Sequence, residues 1–177
     1  MPAEAGIHER HLPQGRLPRS WIPAFAGMTG KETSMKERTI TMRDLHHGVA
    51  VRRAISPQSV GDNTALVSQI IDRQGFDSLE FAIAAGSLAD SDATFAVLVE
   101  DGDAANLSDN AAVADAQLLG TEAEASFQFD DDNEVRKIGY RGAKRYVRLT
   151  ITPSGNASAA LIAAVALLGH GAQQPVS

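Results

Sequence analysis

Five histidines are the first residues to weigh, because imidazole titrates nearest neutrality and most often carries proton transfer or binds metal. His8 and His11 lie among the prolines of the first 34 residues. His46 and His47 are adjacent, and neighbours on a strand point to opposite faces, so the two do not readily share one ion. A site would have to join one of them to His170, near the far end of the chain; surface histidines are the expectation instead. Asp101, Asp103, Asn106 and Asp109 in DGDAANLSDN resemble a calcium loop. An EF-hand, however, needs glycine at its sixth position and a bidentate glutamate at its twelfth. Counted from Asp101 these are Asn106 and Ala112, so the pattern fails. Asp130-Asp131-Asp132 reads as a solvated turn that discourages edge-to-edge pairing of strands. No serine sits in G-x-S-x-G, and no glycine-rich loop leads to Lys-Ser or Lys-Thr. With no cysteine, thiolate chemistry, disulfides and Cys-ligated zinc are excluded. The expectation is a protein that is not an enzyme and holds no cofactor or metal.

Composition agrees with that. The 177 residues are 44% hydrophobic and 21% charged, ordinary for a globular domain. A formal net charge of −6 argues against nucleic acid as the main partner, since phosphate binding needs a basic surface. The longest apolar run, 157–169, is shorter than the roughly 20 residues of a spanning helix, so no membrane partner is expected. Positive charge gathers instead in short clusters: Arg52-Arg53, Arg136-Lys137 and the stretch 141–148. Because alternate residues of a strand share a face, Lys144, Tyr146 and Arg148 form a candidate docking face for an acidic neighbour.

The segments that would position these residues are mostly strands. SLEFAIA (78–84) puts Leu79, Phe81 and Ile83 on one face, and TFAVLVE (94–100) does the same with Phe95, Val97 and Val99. KRYVRLTIT (144–152) is the clearest, with Val147, Leu149 and Ile151 inward and Arg148, Thr150 and Thr152 outward. GVAVRRAI (48–55) reads as a strand stopped by Pro57. Residues 64–72 fit a strand or a short helix, and 110–120 a bulged strand or a helical turn. Residues 101–110 read as a polar loop, 126–129 and 135–140 as strands, and Gln74-Gly75 and 153–156 as turns. SAALIAAVALLG (158–169) has helical composition, but its length and the turn before it favour a buried strand paired to 144–152. Seven or eight short strands between such turns predict an all-β fold, a β-sandwich or jelly-roll-like domain.

Residues 1–34 differ in kind. They hold four of the seven prolines and no apolar period, and they lack the order of a signal peptide. With one choice of codons, the reverse complement of IPAFAGM (22–28) encodes IPAKAG, a single base from PAEAG at 2–6. The two phrases fit the arms of one DNA inverted repeat and are similar to translated intergenic repeats of bacterial genomes. A disordered leader, with the gene start placed too early and Met35 as the true start, is therefore expected. The single domain is then 35–177. The leader holds four basic and three acidic residues, which leaves 12 basic and 19 acidic, a net of −7.

VRKIGYRGAKRYVRLTITPSGNASAALIAAVALLGH (135–170) as a whole resembles small proteins from the head-gene region of tailed bacteriophages and prophages. So do IDRQGFDS (71–78) and DAQLLG (115–120), in the same order. The resemblance covers about 45–170. It implies a virion structural protein of the head or head–tail region, present in the virion and, during assembly, in the bacterial cytoplasm. It implies other virion proteins, capsid or connector, as partners and a homo-oligomeric or multi-copy state, and it brings no catalytic residues with it. The alternative is a carbohydrate- or ligand-binding β-sandwich module; a small hydrolase ranks behind both.

A chain beginning at Met35 is expected to melt at the same temperature as the full chain, because 1–34 offer no patterned apolar surface to a core. Thermal melts followed by circular dichroism check this; a drop of several degrees on removing 1–34 means the segment packs.

Overall fold

The period-two alternation read from the sequence builds two antiparallel sheets around one core. The computed structural model describes residues 44–173 and 175–176; the leader expected at 1–34 and the start expected at Met35 lie outside them. The strands are β1 (Val49–Val60), β2 (Leu66–Val67), β3 (Ile71–Asp72), β4 (Phe76–Leu88), β5 (Thr94–Gly102), β6 (Ala111–Ala112), β7 (Leu118–Leu119), β8 (Phe127–Gln128), β9 (Val135–Tyr140), β10 (Tyr146–Ser154) and β11 (Ala160–Gly171). One sheet has the order β1-β11-β4-β9-β7. The other has the order β2-β10-β5-β6, with β3 also on β10 and β8 also on β5. Leu79, Phe81, Ile83, Ile138 and Leu168 of the first sheet and Phe95, Val99, Val147, Leu149 and Ile151 of the second are buried in a single cluster. The fold is an all-β sandwich, as expected.

The chain changes sheet at most of its connections: β1 is in the first sheet, β2 and β3 in the second, β4 in the first, β5 in the second, β9 in the first, β10 in the second and β11 in the first. This corrects one expected pairing. The segment 158–169 is a strand, but β11 pairs with β1 and β4 rather than with 144–152. The corner before it explains why. Gly155 takes a φ of +70°, and a Cβ there would lie 2.9 Å from the Asp92 carbonyl oxygen. The buried Asn156 donates through Nδ2 to the carbonyls of Val60 and Asp62, at 3.2 and 3.1 Å. Its own N–H goes to Asn63 Oδ1 at 2.9 Å, and the next amide, Ala157, goes to Asp90 at 2.6 Å. Those amides are spent on the β1–β2 and β4–β5 corners, so the chain arches into the other sheet where a hairpin would have folded back. β10 also continues through Pro153 to Ser154, which moves the expected turn later.

Three other readings shift, and one element is new. Pro57 does not stop β1, which runs on to Val60; the strand is at a sheet edge with register shifts on either side of Ile55, where proline costs no ladder bond. Residues 64–72 and 110–120 form only two-residue strands, with a 3-10 turn at Asp115–Gln117. The polar loop begins later than expected, because Asp101 and Gly102 belong to β5, and it carries a buried Leu107. Finally, a short helix, α1 (Glu122–Ala125), is closed by a capping box in which Thr121 and Glu124 each accept the other's backbone N–H.

Arg148 does point outward, but its side chain is only 24% exposed and is held by Glu100 on β5. Leu149→Ala is expected to lower stability by about 2–5 kcal/mol through a core cavity. Arg148→Ala is expected to cost about 1–3 kcal/mol because Glu100 loses its charged partner and keeps only the Asn110 and Thr150 donors. Urea unfolding of the two variants checks the register; equal, negligible effects would refute it.

Candidate functional site

The densest polar arrangement lies where β9 ends and the chain crosses to β10. Tyr140 is 1% exposed, and its hydroxyl donates to Asp101 Oδ2 of β5 at 2.6 Å, joining the two sheets. The same oxygen accepts the Lys144 amide at 3.1 Å. The Arg73 guanidinium lies over the ring, 5.0 Å from its centroid, and donates to the Gly142 carbonyl. A Cβ on Gly142 would sit 2.4 Å from the Tyr140 hydroxyl, so only glycine fits the crossing here. Burial, and next the hydrogen bond to Asp101, push the phenol up to about 12. It stays protonated at neutral pH with both its donor and acceptor roles filled. This is a fastening between sheets, and no substrate atom has access to it.

The acids of the loop that fails the calcium pattern are used in the same way. Asp101 holds Tyr140, and Asp103 pairs with Lys144. Asp109 accepts the amides of Asp103 and Ala104 at 2.8 and 3.1 Å, and these bonds hold its carboxyl below the usual range. Asn106 accepts from the Ser108 amide at 3.2 Å. Nor are the acids of the 130–132 turn merely solvated. Asp131 accepts the Gln128 amide and pairs with Arg136, and Asp132 accepts the Leu88 amide at 2.6 Å. Among the described residues no group of three His, Asp or Glu is placed to hold a metal ion. His47 Nδ1 is 2.7 Å from Asp44, with the His46 ring edge-on at 5.0 Å, while His170 is partnered by Ser78 Oγ at 2.9 Å.

Of the expected face, Tyr146 and Arg148 lie on β10 and Lys144 precedes it, and each cation is matched within the chain. Tyr146 opens β10 opposite Gly102, and Arg148 lies opposite Glu100. Arg148 Nε and Nη2 both reach Glu100 Oε2, at 3.0 and 2.8 Å. Lys144, two residues before the strand, is held charged chiefly by its hydrogen bond to Asp103. Arg145, absent from the sequence reading, pairs with Asp72 through two bonds of 2.9 and 2.7 Å and covers the Tyr146 ring at 4.9 Å. The stripe is therefore a neutral ion-paired surface rather than an open patch of positive charge.

A different surface went unread in the sequence. On β11, Ala160, Ile162, Ala164, Ala166 and Leu168 are buried, which leaves Leu161, Ala163, Val165 and Leu167 on the outer face of the first sheet. Val165 lies opposite Ala82 on β4, and Ala163 opposite Ala84. Val135 of β9, also opposite Ala84, is 69% exposed; Leu161 is 48% and Val165 38% exposed. Leu161 leans over Gly86, where a Cβ would lie 2.9 Å from its own. A shallow trough of about 500 Å³ runs between Pro57, Ala84, Gly86 and Leu161, and a smaller one of about 110 Å³ lies between Ala84, Val135, Ala163 and Val165. The signal was present in SAALIAAVALLG, which is apolar at odd and even positions alike. No family model matches the chain, and no curated protein is significantly similar to it.

Tyr140→Phe is expected to cost about 1–3 kcal/mol, because Asp101 stays buried without its donor. The folded phenol titrates above its unfolded value of about 10, so this contribution is complete below pH 10 and is lost as pH rises towards 12. The wild type should lose stability over that window, and Tyr140→Phe should show a flatter descent. Chemical denaturation at stepped alkaline pH checks both.

Proposed function

We propose that this is a non-enzymatic structural protein of a tailed phage or prophage particle, acting at the head or head–tail region by docking its sandwich onto other virion proteins. The observation that carries the docking reading is the outer face of the first sheet, where Leu161, Val165 and Val135 stand exposed around an alanine floor. Contiguous apolar surface of this kind suits contact with protein more than contact with water. The polar groups of the described residues support the same reading, since the acids and bases met above serve the fold in pairs. The virion assignment itself rests on the resemblance of 45–170 to head-region proteins.

The face around Lys144, Tyr146 and Arg148 belongs to the proposal as a second contact, working by shape and hydrogen bonding because its charges are already matched. The carbohydrate-binding alternative relies on exposed aromatic rings in a groove. Here Phe81, Phe95, Phe127 and Tyr140 are buried, and Phe129 is 39% exposed.

In particles induced from a lysogen carrying the gene, the protein should co-sediment at a fixed ratio to the major shell protein; a chain found wholly in the soluble fraction overturns the virion reading. Replacing Lys144 and Tyr146 together by alanine spares the Arg148–Glu100 pair. That variant should fold, by circular dichroism, and enter particles in reduced amount. Undiminished entry removes this face from docking.

A further inference from the structure

We infer that the outer face of the first sheet, centred on β4 and β11, binds the same face of a second copy of this chain in a two-fold dimer. The inference gives the docking reading a specific surface and partner, and it stands whether or not the copies assemble in a particle.

Shape is the first ground. A two-fold contact needs one surface to carry both a ridge and the groove that receives it. Here Leu161 and Val165 of β11 form the ridge, beside a floor of Ala82, Ala84 and Gly86 on β4 that Val135 closes on its far side. Turned over, the ridge of each copy meets the trough of the other, as the facing layers of a sandwich do.

Area is the second ground. The face spans four strands, from β1 to β9, and about seven residues along each. At about 4.8 Å between strands and 3.4 Å per residue this is a patch of roughly 450 Å². Two copies then bury roughly 900 Å², the size of a weak, reversible contact.

Charge is the third. Arg53 opposite Val165, Lys137 opposite Ala82 and Glu80 opposite Leu167 flank the apolar centre. Among the described residues Arg53, Lys137 and Glu80 form no ion pair, Arg53 donating only to Gln69 Oε1 at 3.3 Å, so both signs are available at the rim. The neighbouring route to association, strand addition on the open edge of β1, is obstructed by exposed Arg52 and Arg53, by Pro57 and by the two register shifts.

Sedimentation equilibrium of the full chain tests this. The wild type should be a dimer, and Val165→Glu and Ala84→Glu, on exposed positions, should each weaken dimerisation by roughly thirtyfold or more while retaining the β-sheet circular dichroism spectrum. Because the chain has no cysteine, Ala84→Cys and Thr152→Cys report the face without charge: the thiol at 84 should be protected from reagent in the dimer and the thiol at 152 free. A wild type that stays monomeric through its soluble range overturns the inference. So does a dimer untouched by Val165→Glu, which puts the contact elsewhere. A monomer with a protected thiol at 84 overturns it in favour of a segment of the same chain lying on the face. A dimer missing from particles leaves the inference intact and removes the virion reading; a monomer found in particles does the reverse.

Discussion

The hydrogen bond from Tyr140 to Asp101 fixes the relation of the two sheets on which everything else depends. Most connections of this chain leave one sheet and enter the other, so few neighbouring strands are held in register by a tight hairpin. The corners themselves must then be built. At one, a buried phenol reaches from β9 to β5 and receives the amide of Lys144 on its return. At another, Asn156 ties the start of the last crossing to the carbonyls of Val60 and Asp62. Both devices bury polar atoms, which costs free energy unless partners are present; distant segments supply them for the Tyr140 hydroxyl and Asn156 Nδ2, while Asn156 Oδ1 is buried without one. A core of Leu and Val alone would bury the same area while leaving the angle between the sheets loose.

The sequence made the inward faces legible because burial on one side imposes a period of two. Leu79, Phe81 and Ile83, Phe95, Val97 and Val99, and Val147, Leu149 and Ile151 all lie where alternation puts them. The pairing of strands was less legible. Alternation says which side of a strand is buried and is silent on which strand lies beside it, and a five-residue connection such as 155–159 serves a hairpin or an arch equally well. The amides of Asn156 and Ala157 decide between them through acceptors more than 60 residues away, Asn63 and Asp90, that no local pattern reveals. Pro57 misled for a related reason: its effect depends on whether the strand is central or at an edge, which is a property of the assembled sheet. The capping box at Thr121 and Glu124, by contrast, was written plainly in T-E-A-E.

The candidate site was read in part. Lys144 and Arg148 each meet an acid some 40 to 50 positions earlier, Asp103 just past the end of β5 and Glu100 on it. A basic cluster in one dimension therefore became a neutral face in three. The apolar run at 158–169 reads in the sequence as a buried strand, and among the described residues it is covered on one side. With the other side facing outward, Leu161 and Val165 acquire a meaning that composition alone withheld.

The two outer faces thus differ in the way their chemistry is completed. The second sheet closes its charges with its own residues, through Arg148 and Glu100, Arg145 and Asp72, and Lys144 and Asp103. Among the described residues the first leaves alanine, leucine and valine without a covering layer. IGYRGAKRYVRL, the most distinctive phrase in the chain, is accounted for within the domain. Gly139 makes room for Glu80 and Leu119, Tyr140 joins the sheets, Gly142 lies against its hydroxyl, and Arg148 meets Glu100. Another protein sharing that phrase shares, on these grounds, the fold it fastens. Kinship of partner would have to be sought in the outward residues of SAALIAAVALLG and the small residues of β4 beneath them, which the fold leaves freer to vary and a neighbour would constrain.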